Sequence, residues 1–296
     1  MNIAEIRTAL REAGLDRIAD EVMRDALPSI RVVPHIVDES ELPIGASKLG
    51  GHPDLPPGFD WPMWRGTPQA FIAQFHLPDL ASIDVDSVMP PTGILYFFYE
   101  AGEQPWGFDP ADRGAWTVLY FDGDIGTLHR LPAPEMLPKY SRLAPHAISR
   151  SVAMTLREDD IWIRHLGLSD QEFDHFLKIT SETNALTHQL LGHPRPMQGA
   201  MEGLCESCST GRSLEDVSRD PRDDPELMSD WEAVAAERWR LLLQVDAIPL
   251  AGVQVGREDS WPHQDWALGG LIYFWIRKDA LVRRDFSDAW LQLQTN

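Results

Sequence analysis

Residues Ser47 to Leu77 read SKLGGHPDLPPGFDWPMWRGTPQAFIAQFHL, a run of Gly- and Pro-marked turns that carries Trp61 and Trp64 and delivers the apolar segment Phe71 to Phe75. A worn copy lies further on. His188-Gln-Leu-Leu-Gly-His-Pro194 answers Lys48-Leu-Gly-Gly-His-Pro53, and Leu241-Leu-Leu-Gln-Val245 answers Phe71-Ile-Ala-Gln-Phe75. Gly93-Ile-Leu-Tyr-Phe-Phe98 is then matched by Gly270-Leu-Ile-Tyr-Phe-Trp275, and Ala115-Trp116 by Ala289-Trp290. Collinear markers of this kind are the signature of an internal repeat. The expectation is an α+β fold, mostly antiparallel sheet, built as two duplicated β-rich lobes that share a core. The boundaries read as an N-terminal helical segment over 1–28, a first repeat over 29–140 and a second over 141–296.

The same residues carry a likeness. The Ser-Lys-Leu-Gly-Gly-x-Pro turn, the Phe-Ile-Ala-Gln-Phe strand, and Gly-Gly-Leu-Ile-Tyr-Phe-Trp-Ile followed by Asp285-Phe-Ser-x-x-Trp290 resemble the YwqG-like family of bacterial domains of unknown function. The likeness spans about 30–296 and implies an α+β fold with a duplicated β core. It brings no catalytic residues. The acidic insert at about 206–232 and Cys205-x-x-Cys208 depart from the family pattern, so the resemblance says nothing of them.

Composition narrows the partners. The chain has 296 residues, 43% hydrophobic and 24% charged, with 46 acidic against 26 basic residues and a formal charge of −20. Nucleic-acid affinity rests on Lys and Arg neutralising phosphates, so DNA, RNA and anionic membrane are excluded as expected partners. A basic protein or cationic ligand would be steered toward such a surface, although acidity also serves solubility alone. No apolar run approaches the length of a membrane span. The start lacks the basic and apolar regions of a signal peptide, and two cysteines three residues apart cannot staple distant segments. Together these predict a cytoplasmic protein.

Along the chain, Ile3, Ile6, Leu10, Ile18, Val22 and Met23 predict two short helices broken near Gly14, docked on the body and closed by Pro28. Ile30 to Val37 reads as a strand that Pro34 places at an edge or an irregularity. Strands are further expected at Phe71–Phe75, Ile94–Tyr99, Thr117–Phe121, Leu128–Pro138, Ser149–Leu156, Trp239–Val245, Leu271–Ile276 and Trp290–Leu293. Ser169-Asp-Gln-Glu172 has the form of a capping box and announces a helix to about Thr183, packed by Phe173, Phe176, Leu177 and Thr180. The polar stretch 206–232 reads as an exposed loop.

Chemistry is sparse. Cys205 and Cys208 with His188 and His193 would make a tetrahedral zinc set, but His193 has a cysteine-free counterpart in His52. A turn that makes His-Pro twice uses its histidine structurally, and the expectation is no metal and no cofactor. Phosphate-binding loops, nucleophile elbows and metalloprotease helices are absent as motifs. Gln74 and Gln244 are polar residues in apolar strands at equivalent positions. Buried amides must be hydrogen-bonded, so they tie the strand to the turn or, alternatively, read a polar ligand. Trp61, Trp64, Trp106, Trp261 and Trp266 fall in expected loops, where they pin the loop or line a recognition surface that Asp246 would make acidic.

Two functions compete on this reading. One is a non-enzymatic acidic binding protein of immunity-like or regulatory kind, engaging a protein partner. The other is a small-molecule binder or enzyme with a cleft between the lobes. The binding candidates are His52, Trp61, Trp64, Gln74, His193, Gln244, Asp246, Trp261 and Trp266.

Overall fold

The computed structural model describes residues 1–183, 188–212, 234–246, 248–249, 263–264, 266 and 269–295. Ten strands form one sheet: β1 (Leu27–Ile36), β2 (Lys48–Leu49), β6 (Ala70–His76), β7 (Ile94–Tyr99), β8 (Trp116–Phe121), β10 (His146–Thr155), β11 (Gln189–Leu191), β12 (Trp239–Val245), β15 (Leu271–Arg277) and β16 (Trp290–Gln294). Three two-residue ladders flank it: β3 (Asp54–Leu55) with β9 (His129–Arg130), β4 (Met63–Trp64) with β5 (Thr67–Pro68), and β13 (Ile248–Pro249) with β14 (His263–Gln264). Every described pairing is antiparallel. With the helices that pack on the sheet, the fold is α+β.

The sheet order is β16-β15-β12-β11-β1-β10-β2-β6-β7-β8. Read from either edge inward, the strands of the two halves follow in the same sequence, and β1 and β10 cross at the centre over ten paired residues. Each leading strand therefore also bonds to the other half: β1 to β11, and β10 to β2. Registers correspond closely. Gln74 faces Lys48 and Tyr96, while Gln244 faces Gln189 and Tyr273. Irregularities fall between Phe71 and Ala73 and between Leu241 and Leu243, at matching places.

The two edges curl toward each other. Trp116 on β8 and Trp290 on β16 pack edge to face at 4.8 Å between centroids. Their indole nitrogens donate to Ala289 O and Gly107 O, both at 2.9 Å. Inside the curl, Phe97 meets Phe274 at 5.1 Å and Tyr99 meets Trp266 at 5.8 Å, so strands from both halves build one core. Strand β7 is buried on both faces. Its Leu95, Phe97 and Tyr99 enter that core, while Ile94, Tyr96 and Phe98 join Leu55, Phe71 and Leu128 under the Gly/Pro-rich turns.

Several expectations are corrected. Strand β1 starts at Leu27, so Pro28 lies within it and does not close the helices. Pro34 sits in a central strand, but β11 pairs only with Ser29, Ile30 and Arg31. Among the described residues its missing N–H therefore falls where β1 has a single neighbour, the same physical need that an edge would meet. The strand expected over Leu128–Pro138 is only His129–Arg130. Residues Glu202–Ser209 form helix α5, which takes in residues 206–209 of the expected loop, with Cys205 and Cys208 buried on one face. Residues 213–233 of the insert lie outside the described residues.

The N-terminal helices α1 (Ile3–Glu12) and α2 (Asp16–Asp25) dock as expected, their Ile6, Leu10, Ile18 and Val22 buried in a second apolar cluster. Asn2 and Glu5 form a reciprocal capping box on α1. Between Asp160–His165, helix α3, and β11 runs α4 (Asp170–Thr183), capped by Ser169 and Glu172. Its buried face is Phe176, Ile179, Thr180 and Thr183, whereas Phe173 and Leu177 are exposed. It rests on α1 and β10. Among the described residues, no helix is long and apolar enough to cross a membrane.

Candidate functional site

The Gly-Gly-His-Pro turn after β2 is forced by sterics. Gly50 and Gly51 adopt φ of +63° and +72°, and a Cβ on Gly50 would lie 2.2 Å from Ala144 O. Glycine takes that conformation at no steric cost, and only glycine leaves room for that approach; the matching position of the second turn is Leu191, at φ +60°. The turn's freed backbone groups are then met by side chains. Gln74 Oε1 accepts from Asp54 N at 2.8 Å, its Nε2 donates to Ala46 O at 2.8 Å, and Tyr96 Oη donates to Asp54 O at 2.7 Å. In the second half, Gln244 Oε1 accepts from Arg195 N at 2.9 Å and Tyr273 Oη donates to Arg195 O at 2.6 Å. Both glutamines thus tie strand to turn.

An ionic network underlies the first turn. Lys48 is wholly buried, its Nζ 3.4 Å from both Asp54 Oδ2 and Glu39 Oε1, and it also donates to His52 O. Arg130 Nε bonds Asp54 Oδ1 at 2.9 Å. Glu39 takes hydrogen bonds from His52 Nδ1 and from His52 N. Burial raises the Glu39 pKa, but those bonds and the His52 and Lys48 charges outweigh it and hold the carboxyl at about 2. Burial also lowers the Lys48 pKa, opposed by Asp54.

Beside this network lies a cavity of about 430 Å³. Trp61, Phe71, Leu137 and Leu143 give it an apolar wall, and Glu39, His52, Lys139, Ser141 and Arg142 supply its polar groups. Ser141 is 2% exposed and its Oγ has no hydrogen-bond partner. Lys139 is exposed, and Arg142 donates to the carbonyls of Pro134, Glu135 and Leu137 without a carboxylate partner.

A second cavity, about 390 Å³, lies beside the second turn. Gly192, His193 and Leu241 line it as Gly51, His52 and Phe71 line the first. His193 Nε2 bonds Asp25 O at 2.7 Å, and burial lowers its pKa. Glu202, also in the lining, has its pKa raised by burial.

A family model described as a domain of unknown function, DUF1963, matches residues 47–295. The chain belongs to this family. A comparison with curated proteins gave no match. Within the DUF1963 span lie both turns and both cavities' aromatic strands, whereas α1, α2 and β1 precede it. The name of the family carries no activity, so the reading of the site rests on its geometry.

The structure distributes the sequence candidates unevenly. His52 and Trp61 reach the first cavity and His193 the second, while Gln74 and Gln244 are buried turn supports. Trp64 is buried in β4 under the Arg65 guanidinium, 4.1 Å from its ring centre. Trp266 is buried and donates to Asp246 O at 2.9 Å, and Asp246 N donates to His188 Nδ1 at 3.3 Å. Trp106 packs against the core in part. Trp61 donates from Nε1 to Gln69 O at 2.8 Å and packs on Phe98. These tryptophans pin loops. Trp261 lies outside the described residues.

Cys205 and Cys208 are free thiols in the main core, and burial pushes the Cys208 thiol up to about 12. Among the described residues no group of three or more His, Cys, Asp or Glu is placed to hold a metal ion, so His188 and His193 do not converge with the cysteines. Sequence reasoning missed Glu39, Lys139, Ser141 and Arg142, and in the second cavity Asp25, Arg240, Trp275 and Lys278. None carries a local motif. Lys48 gave one usable signal, a lysine inside the apolar turn that repeats as Gln189.

Proposed function

We propose that this DUF1963 protein binds a small organic anion with an apolar body in the first cavity. The observation that carries the reading is the buried Ser141 hydroxyl, which lines the cavity without a partner. Buried polar groups are nearly always satisfied, and one left open beside a cavity of ligand size awaits an acceptor or donor from outside. The apolar wall removes the ligand body from water. Lys139 and Arg142 place positive charge at the cavity of a chain whose formal charge is −20. Glu39 keeps its negative charge in the same lining, offset by the Lys48 ammonium 3.4 Å away and turned toward His52 by its hydrogen bonds. Binding is favoured over hydrolysis because Ser141 Oγ makes no bond to His52, so no nucleophile–base contact is formed.

Titration calorimetry with octanoate tests this. Octanoate should bind, Ser141→Ala should weaken it by about 3- to 10-fold for one lost hydrogen bond, and Lys139→Met should weaken it most at low salt. Absence of binding, or equal affinity in both variants, would overturn the proposal.

A second reading keeps the acidic segment. Between Glu215 and Glu232, Glu215, Asp216, Asp220, Asp223, Asp224, Glu226, Asp230 and Glu232 outnumber Arg219 and Arg222. This supports electrostatically assisted encounter with a basic protein partner, of immunity-like or regulatory kind, in the cytoplasm. Deleting 212–228 should slow association with such a partner at low salt. An unchanged rate would remove this reading. The turn motifs also support placing the chain with the YwqG-like domains and treating its halves, 29–140 and 141–296, as duplicated.

A further inference from the structure

The second cavity differs from the first in what its walls leave unfilled. Trp275 is 1% exposed, lines the cavity, and its Nε1–H has no hydrogen-bond partner. Asp25 Oδ2 is buried in the same lining and is likewise unpartnered. It lies 3.3 Å from His193 Nε2, but that nitrogen bonds the main-chain oxygen of Asp25 instead. One buried donor and one buried acceptor are therefore open at a single cavity. Each such group is costly when left without a partner.

Charge around them is mixed and largely unspent. Arg24 and Arg240 line the cavity and form no ion pair among the described residues, where Lys278 Nζ donates to Ala236 O at 3.3 Å. Glu237, also in the lining, has no cationic partner within salt-bridge distance among the described residues. A purely anionic ligand would face Asp25, Glu202 and Glu237, and a purely cationic one would face Arg24, Arg240, Lys278 and Arg157, the last paired with Asp159. A molecule carrying both charges satisfies both sets.

We propose that this second cavity binds a small zwitterion of the free α-amino acid kind, its carboxylate accepting from Trp275 Nε1 in the field of Arg240 and Lys278 and its ammonium donating to Asp25 Oδ2. The proposal concerns a different cavity from the organic-anion site and stands or falls separately. A volume of about 390 Å³ accommodates an amino acid with its side chain. The neighbouring His193 Nε2 already bonds the main-chain oxygen of Asp25 at 2.7 Å, and burial lowers its pKa against the pull of the Asp25 charge.

The test uses the full chain and calorimetric titration with each of the common free L-amino acids up to about 10 mM, where a millimolar site is well filled. At least one should bind. Its Nα-acetyl and methyl-ester derivatives should each bind at least tenfold more weakly, because each removes one charge. Asp25→Asn should weaken the free amino acid while leaving octanoate binding unchanged. Trp275→Phe should do the same, and Arg240→Gln gives a second variant outside the core should Trp275→Phe unfold. Failure of every amino acid to bind, equal binding of the blocked derivatives, or indifference to Asp25→Asn would overturn the proposal. Waters alone filling the cavity would show as the first of these outcomes.

Discussion

Replacing Asp54 by Asn should be among the most damaging single changes available at the first turn. The carboxylate accepts from Gly45 N at 3.0 Å, Gln74 Nε2 at 2.9 Å and Arg130 Nε at 2.9 Å, with Lys48 Nζ at 3.4 Å, and both Asp54 and Lys48 are wholly buried. Asn would turn a donor toward these donors and leave the Lys48 ammonium short of countercharge. Breaking one partner of a buried pair costs about 3–5 kcal/mol, which lowers the melting temperature by roughly 5–8 °C in a chain of this size. The second half shows how to relieve it. There Gln189 Nε2 donates to His193 O at 2.7 Å, doing without charge what Lys48 does for His52 O. Lys48→Gln alone should cost about 1–2 kcal/mol, and in the Asp54→Asn background it should cost little or restore stability. Urea denaturation of the four proteins gives the coupling, expected at about 1–3 kcal/mol. Additive losses would refute the claim that Lys48 and Asp54 work as one unit.

Three further outcomes follow from titrating and buried groups. His188 has its pKa lowered to about 4 by burial, so the unfolded chain takes up a proton below the ordinary value near 6.5 that the folded chain refuses. Its contribution is full above pH 6.5 and is lost as pH falls toward 4, by about 3 kcal/mol, and His188→Gln should flatten that slope in denaturation measured across the window. Glu39, held at about 2, contributes stability above the ordinary carboxylate range that is lost as pH falls toward 2; Glu39→Gln should remove that acid-dependent loss. Cys208, buried and pushed up to about 12, should resist thiol labelling in the native state and react only at the rate of unfolding; stoichiometric labelling within minutes would contradict its placement.

Much of the sheet could be read directly. Strands β6, β7, β12, β15 and β16 are dense aliphatic and aromatic runs bounded by turns, and being buried on both faces they needed no alternation to be recognised. The centre was less legible. Strand β1 carries Pro28 and Pro34, which are accommodated because β10 supplies the long pairing, a fact set by residues more than a hundred positions away. Helix α5 was hidden by Gly203, Ser207 and Ser209, poor helix formers whose cost is offset by burying Cys205 and Cys208 in the core. At the sites, the repeated Gly-His-Pro turn pointed to His52 and His193. Their cavity partners Glu39, Ser141, Asp25 and Trp275 arrive from other elements, and nothing in their local sequence marks them.

The claim that a ligand occupies the cavity beside the first turn is tested most directly by photo-crosslinking. An octanoate analogue with a diazirine near its tail, irradiated with the full chain and mapped by peptide mass spectrometry, should label Trp61, Leu137 or Leu143, and excess octanoate should suppress the labelling. Labels spread over the surface, or concentrated away from the cavity and untouched by competition, would contradict the account.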